Sequence, residues 1–213
     1  MLNKLTKLKW VIALMGICAI TVSNGCDEFR LDCANTVYNF QAGVKAYPDK
    51  DSVVIGDTIW FESTIPASLI DIGTKKLIDY SGAGNLGTVI SLDRFTGDHG
   101  STYAANEFKY VLSIGKTEEK NINVPERIKA YSFIEINNQY SLKVGVIPQR
   151  KGIYILAVGN PQNVFRKSDK CTKASYFINF ENTKQHIYLY QNNRPGYKIE
   201  GLELTNIYCF KVY

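Results

Sequence analysis

Histidine is scarce in this chain, with two in 213 residues, and it is never closely spaced with cysteine. No Cys-x-x-Cys occurs either, which excludes the usual zinc-ligand spacings. Neither a G-x-S-x-G elbow nor an H-E-x-x-H helix is present, so two large hydrolase signatures are missing. No run of Lys or Arg follows residue 25, and without a basic stripe the chain carries no nucleic-acid footprint. Long hydrophobic runs are missing too: the longest uncharged apolar stretch, Trp10 to Val22, has thirteen residues. As a helix it would rise about 20 Å, short of a hydrocarbon core about 30 Å thick. Finally, Ala, Glu, Leu and Lys nowhere recur over a long stretch at helical spacing.

What is there begins with an address. Lys4, Lys7 and Lys9 precede the apolar run, and Ser23-Asn24-Gly25-Cys26-Asp27-Glu28 follows it. A basic segment, a short apolar core helix and small residues at the cut make residues 1–25 a secretory signal peptide, and the cysteine just after the cut raises lipidation. Gly25-Cys26 resembles the end of the small-residue box of bacterial lipoprotein signals. Ser23 and Asn24 depart from that box, where an aliphatic and then a small residue are usual. The resemblance implies that Cys26 becomes the first mature residue, carries a diacylglyceryl thioether and is acylated, as by palmitate, on its amine. Asp27-Glu28 resembles the export signal of Bacteroidota-type envelopes that sends lipoproteins to the outer leaflet, and reads equally as a solvated acidic tether. The implied location is the cell envelope, lipid-anchored to the outer membrane. Each buried CH₂ contributes roughly 0.8 kcal/mol, so two or three acyl chains hold firmly where one holds marginally.

Removing residues 1–25 takes away three lysines and no acidic residue, which lowers the net charge from +5 to +2. The remaining 188 residues suffice for one good-sized domain or two small ones. Tyrosine is abundant, at 14 against 10 phenylalanines, and Val, Ile, Phe and Thr recur throughout, a composition that reads as β. With Cys26 lipidated, Cys33, Cys171 and Cys209 remain in an oxidising compartment, enough for one disulfide. Cys171 and Cys209 lie in the two C-terminal β-like runs and are the expected pair; the rival is Cys33 with either of them. Closing the loop between Cys171 and Cys209 would stabilise the fold by about 4 kcal/mol in the chain-entropy account.

Along the chain, residues 26–35 read as a tether and 36–213 as the folded domain. Thr36–Tyr47 alternates apolar and polar residues and reads as a first strand. Further β-like runs fall at 75–80, 88–95, 108–114, 128–136, 140–147, 153–158, 174–180, 186–190 and 207–213. Asn137-Asn138-Gln139 joins two of them as a hairpin, and Glu181–Gln185 joins another pair. Many short strands at regular spacing predict an all-β, antiparallel β-sandwich. The polar stretch from Gly115 to Pro125 is the place where a second lobe, starting near 116, would begin; a long loop within one sandwich fits equally. The short strand at Ser52, the Gly56-Asp57 turn and the strand after it, with the phrase Ile55-Gly56-Asp57-Thr58-Ile59, resemble the opening of bacterial immunoglobulin-like sandwiches over some 30 residues.

Each chemical motif has a competing structural reading. Gly82-Ala83-Gly84-Asn85-Leu86-Gly87 spells G-x-G-x-x-G, but a pyrophosphate site needs a helix to start there, and Thr88-Val89-Ile90 is strand-like. The glycines therefore read as a flexible loop that could line a binding surface. His99 with Asp93 and Ser101 has the residue types of nucleophilic catalysis, yet these crowd one Gly-rich loop and read as solvated. Asp49, Asp51 and Asp57 fit turn chemistry better than calcium, because Val53 and Val54 stand where an EF-hand needs a ligand and a glycine. Tyr176, then His186, Tyr188 and Tyr190 alternating with Ile187 and Leu189, would form either an outward tyrosine platform for a glycan or envelope protein, or a face buried on both sides. Trp60 reads as core. With no catalytic constellation and no implied cofactor, the expected function is a membrane-anchored, non-enzymatic binding or structural module. The alternative is a glycan-active enzyme whose acid pair is hidden by distance among 20 acidic residues.

Protein taken from native membranes is expected to show an intact mass cut before Cys26 and increased by acyl chains. Cys26→Ala is expected to leave the unprocessed precursor mass instead.

Overall fold

The computed structural model describes residues 36–97, 100–118, 124–181, 183–194 and 204–213, so the signal, the tether, Cys26, Cys33 and His99 lie outside the described residues. Thr36–Tyr213 forms a compact unit of its own. Strand β1 (Val37–Tyr47) buries Phe40, Ala42, Val44 and Ala46 and turns the residues between them outward, the period-two pattern of a half-buried strand. The order of the first sheet begins with β11 (Ile134–Ile136), β12 (Gln139–Pro148) and β3 (Ile59–Pro66). It continues through β1 to β15 (Asp169–Phe180) and β14 (Val164–Arg166), with β8 (Phe108–Ile114) also paired to β12. The second sheet begins with β2 (Ser52–Val53), β16 (Ile207–Val212) and β13 (Gly152–Val158). It continues with β6 (Gly87–Phe95), β10 (Ile128–Ser132) and β9 (Lys116–Glu118), and β7 (Ser101–Tyr103) pairs with β6. A separate hairpin joins β4 (Ser68–Ile70) to β5 (Leu77–Asp79).

The fold is thus all-β and sandwich-like. The inner faces of the two sheets share one core, in which Phe40, Ile59, Val144, Leu92, Leu156 and Phe210 are completely buried. Rings cross between the sheets: Phe61 and Phe180 meet Tyr208 at 5.9 and 5.8 Å, and Phe108 meets Tyr154 at 4.9 Å, mostly edge to face. The ladders are mainly antiparallel, with two exceptions. β1 runs parallel to β15 from Val37↔Lys173 to Val44↔Phe180 and then pairs antiparallel with β3 at Lys45–Tyr47, while β2 runs parallel to β16. Residues beyond 116 contribute strands to both sheets, β9, β10, β13 and β16 to one and β11, β12, β14 and β15 to the other.

Several expectations change. The single β-like run at 128–136 is two strands: β10 belongs to the second sheet, β11 to the first, and buried Phe133 sits at the crossing. The hairpin at Asn137-Asn138 forms as expected, both residues having φ near +55° (50° and 59°), which a type I′ turn requires and asparagine tolerates. The run at 186–190 is no strand. Gln185 and His186 both take left-handed φ, 54° and 50°, and the chain enters helix α1 (Tyr188–Asn193). That helix lies against β16, which is why β16 buries Ile207 and Cys209 as well as the inward Tyr208 and Phe210. Trp60 faces outward on β3, half-buried beneath the Lys143 ammonium at 5.3 Å, rather than in the core.

The β4–β5 hairpin is organised by Asp71, whose buried carboxylate accepts the backbone N–H of Asn39 at 2.8 Å and that of Thr74 at 2.6 Å. These donors hold its pKa down to about 2. Asp169 is likewise held at about 2 by the hydroxyl and N–H of Thr172. A carboxylate depressed below its unfolded value of about 3.9 favours the folded state above that pH and loses the effect as pH falls. Melting temperature is therefore expected to decline between about pH 4 and pH 2, the Asp71 window. Asp71→Asn is expected to melt lower at neutral pH and to show a shallower acid decline, as followed by circular dichroism.

Candidate functional site

Tyr140 fixes the loop that borders an open cleft. Its hydroxyl, at the buried end of β12, donates to the Tyr80 carbonyl at 2.7 Å and accepts from the Ala83 N–H at 2.8 Å. Burial raises its pKa to about 12, so at neutral pH it remains a neutral hydrogen-bonding group. Further bonds pin the same loop. The Gly82 N–H donates to Glu135 Oε2 at 3.0 Å, the Gly84 N–H to the Phe165 carbonyl at 2.8 Å, and the Lys167 N–H to the Gly82 carbonyl at 3.0 Å. Asn85 accepts from the Phe165 N–H through Oδ1 at 2.9 Å. Of the G-x-G-x-x-G glycines, Gly82 takes a left-handed φ of 72°, and the other two are explained by close approach. A Cβ on Gly84 would lie 3.1 Å from the Phe165 ring, and one on Gly87 would lie 3.0 Å from the Tyr131 carbonyl oxygen. The loop expected to be flexible is a bonded one, and strand β6 follows it, so it offers no helix N-terminus to a phosphate.

Beside this loop runs an open cleft of about 540 Å³, whose lining includes Asn85, Glu118, Tyr131, Ser132, Asn160 and Pro161, with Val89 and Ala130. A depression of about 410 Å³ shares Gly84, Glu118 and Ser132 with it and adds Lys116, Glu135, Tyr140 and Lys167. Glu118 is exposed and accepts from the Ser132 hydroxyl at 2.5 Å. Burial raises the pKa of Tyr131 to about 12, which leaves it neutral. The wall therefore offers carboxylate acceptors, amide and main-chain groups and two ammonium groups, a set suited to hydroxyl-rich ligands. Sequence reasoning reached only the glycine loop. Glu118, the Ser132–Glu135 stretch and Asn160 come from three places in the chain and share no motif.

The other sequence candidates separate. Tyr176 is fully buried on the inner face of β15, 5.3 Å from the Phe40 ring, so it belongs to no outward platform; the outward neighbour is Phe177. Tyr188 is exposed and donates to Asp51 Oδ2 at 2.5 Å, which lowers the Asp51 pKa and raises its own. Tyr190 packs edge-on to Phe95 at 5.8 Å, and the Arg194 guanidinium sits 5.5 Å over it. A helix has replaced the strand that would have aligned them. Asp49 meets His186 Nε2 at 3.1 Å, and Asp57 accepts from the Val54 N–H at 3.0 Å within its turn. Asp93 pairs with Arg127 at 2.8 Å, while the Ser101 hydroxyl accepts from Arg194 at 3.1 Å. Among the described residues no group of three His, Cys, Asp or Glu is placed to hold a metal ion.

The expected Cys171–Cys209 bridge is also corrected. Cys209 is a free, buried thiol, pushed up to about 12 by burial, whereas Cys171 is disulfide-bonded to a partner outside the described residues. Topology gives the reason: Cys209 sits opposite Ile155 in the second sheet, and Cys171 is the third residue of β15 in the first.

No family model and no curated protein matches the sequence. Among solved structures, the human F-spondin reeler domain superposes with a TM-score of 0.34 at 13% identity, covering 71% of this chain and 92% of that one. The Reelin-N domain of F-spondin gives 0.30 at 14% identity, covering 68% and 83%. Both scores are too low to bear on function.

Iodoacetamide at mildly alkaline pH is expected to leave Cys209 unlabelled in the native protein and to label it in denaturant. Non-reducing digestion is expected to yield no peptide linking Cys171 to Cys209.

Proposed function

We propose that this chain is an envelope lipoprotein, anchored to the outer membrane through Cys26, whose immunoglobulin-like sandwich binds a glycan in the cleft beside the Gly82–Gly87 loop. The observation that carries the reading is the cleft of about 540 Å³ whose lining combines Glu118, Ser132 and Asn160 with Val89, Ala130 and Pro161. Carboxylate and amide groups pair with sugar hydroxyls, and small apolar side chains receive the C–H face of a sugar ring. The immunoglobulin-like assignment is supported by the Asp57 turn, which carries the chain from β2 in the second sheet to β3 in the first, and by β2 lying parallel to the last strand, β16. The anchor is supported by the Gly25-Cys26 box and by the start of the folded unit at Thr36, ten residues beyond Cys26.

A glycan-active enzyme is the second reading, because Glu118 and Glu135 line one depression, as an acid pair would. The two readings separate in one experiment on the chain from residue 26 onward carrying Cys26→Ser. Calorimetric titration with cello-, manno- and chito-oligosaccharides is expected to give saturable binding to at least one series. Glu118→Gln is expected to weaken that binding about tenfold, the loss of a charged hydrogen-bond acceptor. Absence of binding to every series removes the glycan reading. Release of reducing ends that stops in Glu118→Gln and in Glu135→Gln replaces it with the enzyme.

A further inference from the structure

The β4–β5 hairpin shows water a set of apolar side chains that the fold could have buried. Its ladder pairs Leu69 with Ile78 and Ile70 with Leu77. Alternation sends Leu69 and Ile78 toward the core, where they pack against it, and sends Ile70 and Leu77 the other way, leaving them 60% and 70% exposed. Ile72, at the turn, is 40% exposed, and Val37, the first residue of β1, is 50% exposed. The tip between them carries Lys75 and Lys76, both exposed.

This tip is held rather than loose. The Lys75 N–H donates to the Asp71 carbonyl and the Asp71 N–H to the Lys76 carbonyl, each at 2.9 Å, and Lys75 takes φ of 60°. The Ile72 N–H donates to the Asn39 carbonyl at 2.8 Å, which fixes the hairpin beside the beginning of β1. Asp71, the acidic residue of the tip, is only 3% exposed, so its carboxylate faces the β1 backbone while the two ammonium groups face outward. In the parallel ladder Val37 stands opposite Lys173, which adds a further cation at the same end. The chain between Cys26 and Thr36 spans at most about 35 Å, so a lipidated Cys26 would keep this end close to the bilayer.

We infer that the β4–β5 hairpin is a second membrane contact, in which Ile70, Ile72 and Leu77 enter the headgroup boundary and Lys75 and Lys76 meet anionic lipid phosphates. The inference rests on the anchor reading for its geometry: apolar residues flanked by cations, at the end from which the tether emerges, match the chemistry of an anionic bilayer surface. Another exposed apolar group, Val54, Ile55 and Tyr213, lies past the far end of β1 and serves as an internal control.

The test uses the chain from residue 26 onward with Cys26→Ser, so its outcome does not depend on whether Cys26 is lipidated. Cosedimentation is measured with vesicles of phosphatidylethanolamine and phosphatidylglycerol and with vesicles of phosphatidylcholine alone. Binding to the anionic vesicles is expected, weakening with added salt. Ile70→Ser with Leu77→Ser, or Lys75→Glu with Lys76→Glu, is expected to reduce it about tenfold or more, and Ile55→Ser to leave it unchanged. Unchanged melting temperatures show that the surface substitutions spare the fold. A parent chain that stays in the supernatant at low salt, or hairpin variants that bind as the parent does, overturns the proposal. So does a parent chain that ignores vesicles but self-associates through the hairpin, because the surface would then serve a second copy.

Discussion

A tyrosine hydroxyl in a dry core is costly to leave unpaired, and four such hydroxyls hold irregular segments of this structure in place. Tyr80, Tyr140, Tyr154, Tyr176 and Tyr208 are among its largest fully buried side chains. Leaving such a hydroxyl unpaired costs about 1–3 kcal/mol, and all but Tyr176 become points at which irregular backbone is fastened to the core. Tyr80 reaches the Val164 carbonyl at 2.8 Å and fastens the β14 segment. Tyr208 reaches the Lys50 carbonyl at 2.7 Å and fastens the turn after β1. Tyr154 donates to Glu107 at 2.7 Å, and Glu107 in turn gathers Arg94 and Arg150. Tyr176 stands apart: its hydroxyl has no partner among the described residues.

The cleft is a product of the same demand. Because Tyr140 bonds both the Tyr80 carbonyl and the Ala83 N–H, the glycine loop is drawn against β14 and β12 instead of folding over β9 and β10. The groove left between loop and strands is lined by Glu118 and Ser132, which are hydrogen-bonded to each other. The shape of the cleft thus depends on hydrogen bonds made behind its lining.

Much of the sheet framework was legible in the sequence, because strands such as β6, β12 and β13 are bounded by turn residues and alternate at period two. The misreadings have specific causes. His186–Tyr190 alternates as a strand would, but its path is decided by Asp49 and Asp51, which meet His186 and Tyr188 from 137 positions away. The run at 128–136 shows no break because both of its halves are strands, and only the choice of sheet divides them. Cys209 looked available for pairing until the helix over β16 proved to cover it. The cleft was legible only through its glycines, since a groove assembled from the 80s, 118, 132 and 160 leaves no spacing to read.

The parallel run of β1 against β15 has a mechanical meaning. In the proposed lipoprotein, a load passed through Thr36 would draw on β1, whose eight residue pairs from Val37↔Lys173 to Val44↔Phe180 lie side by side along the strand. Hydrogen bonds that cross a pulled strand bear the load together, in shear, whereas those of a strand peeled from its end would fail one after another. The fold therefore presents its force-bearing geometry at the end where a membrane would pull.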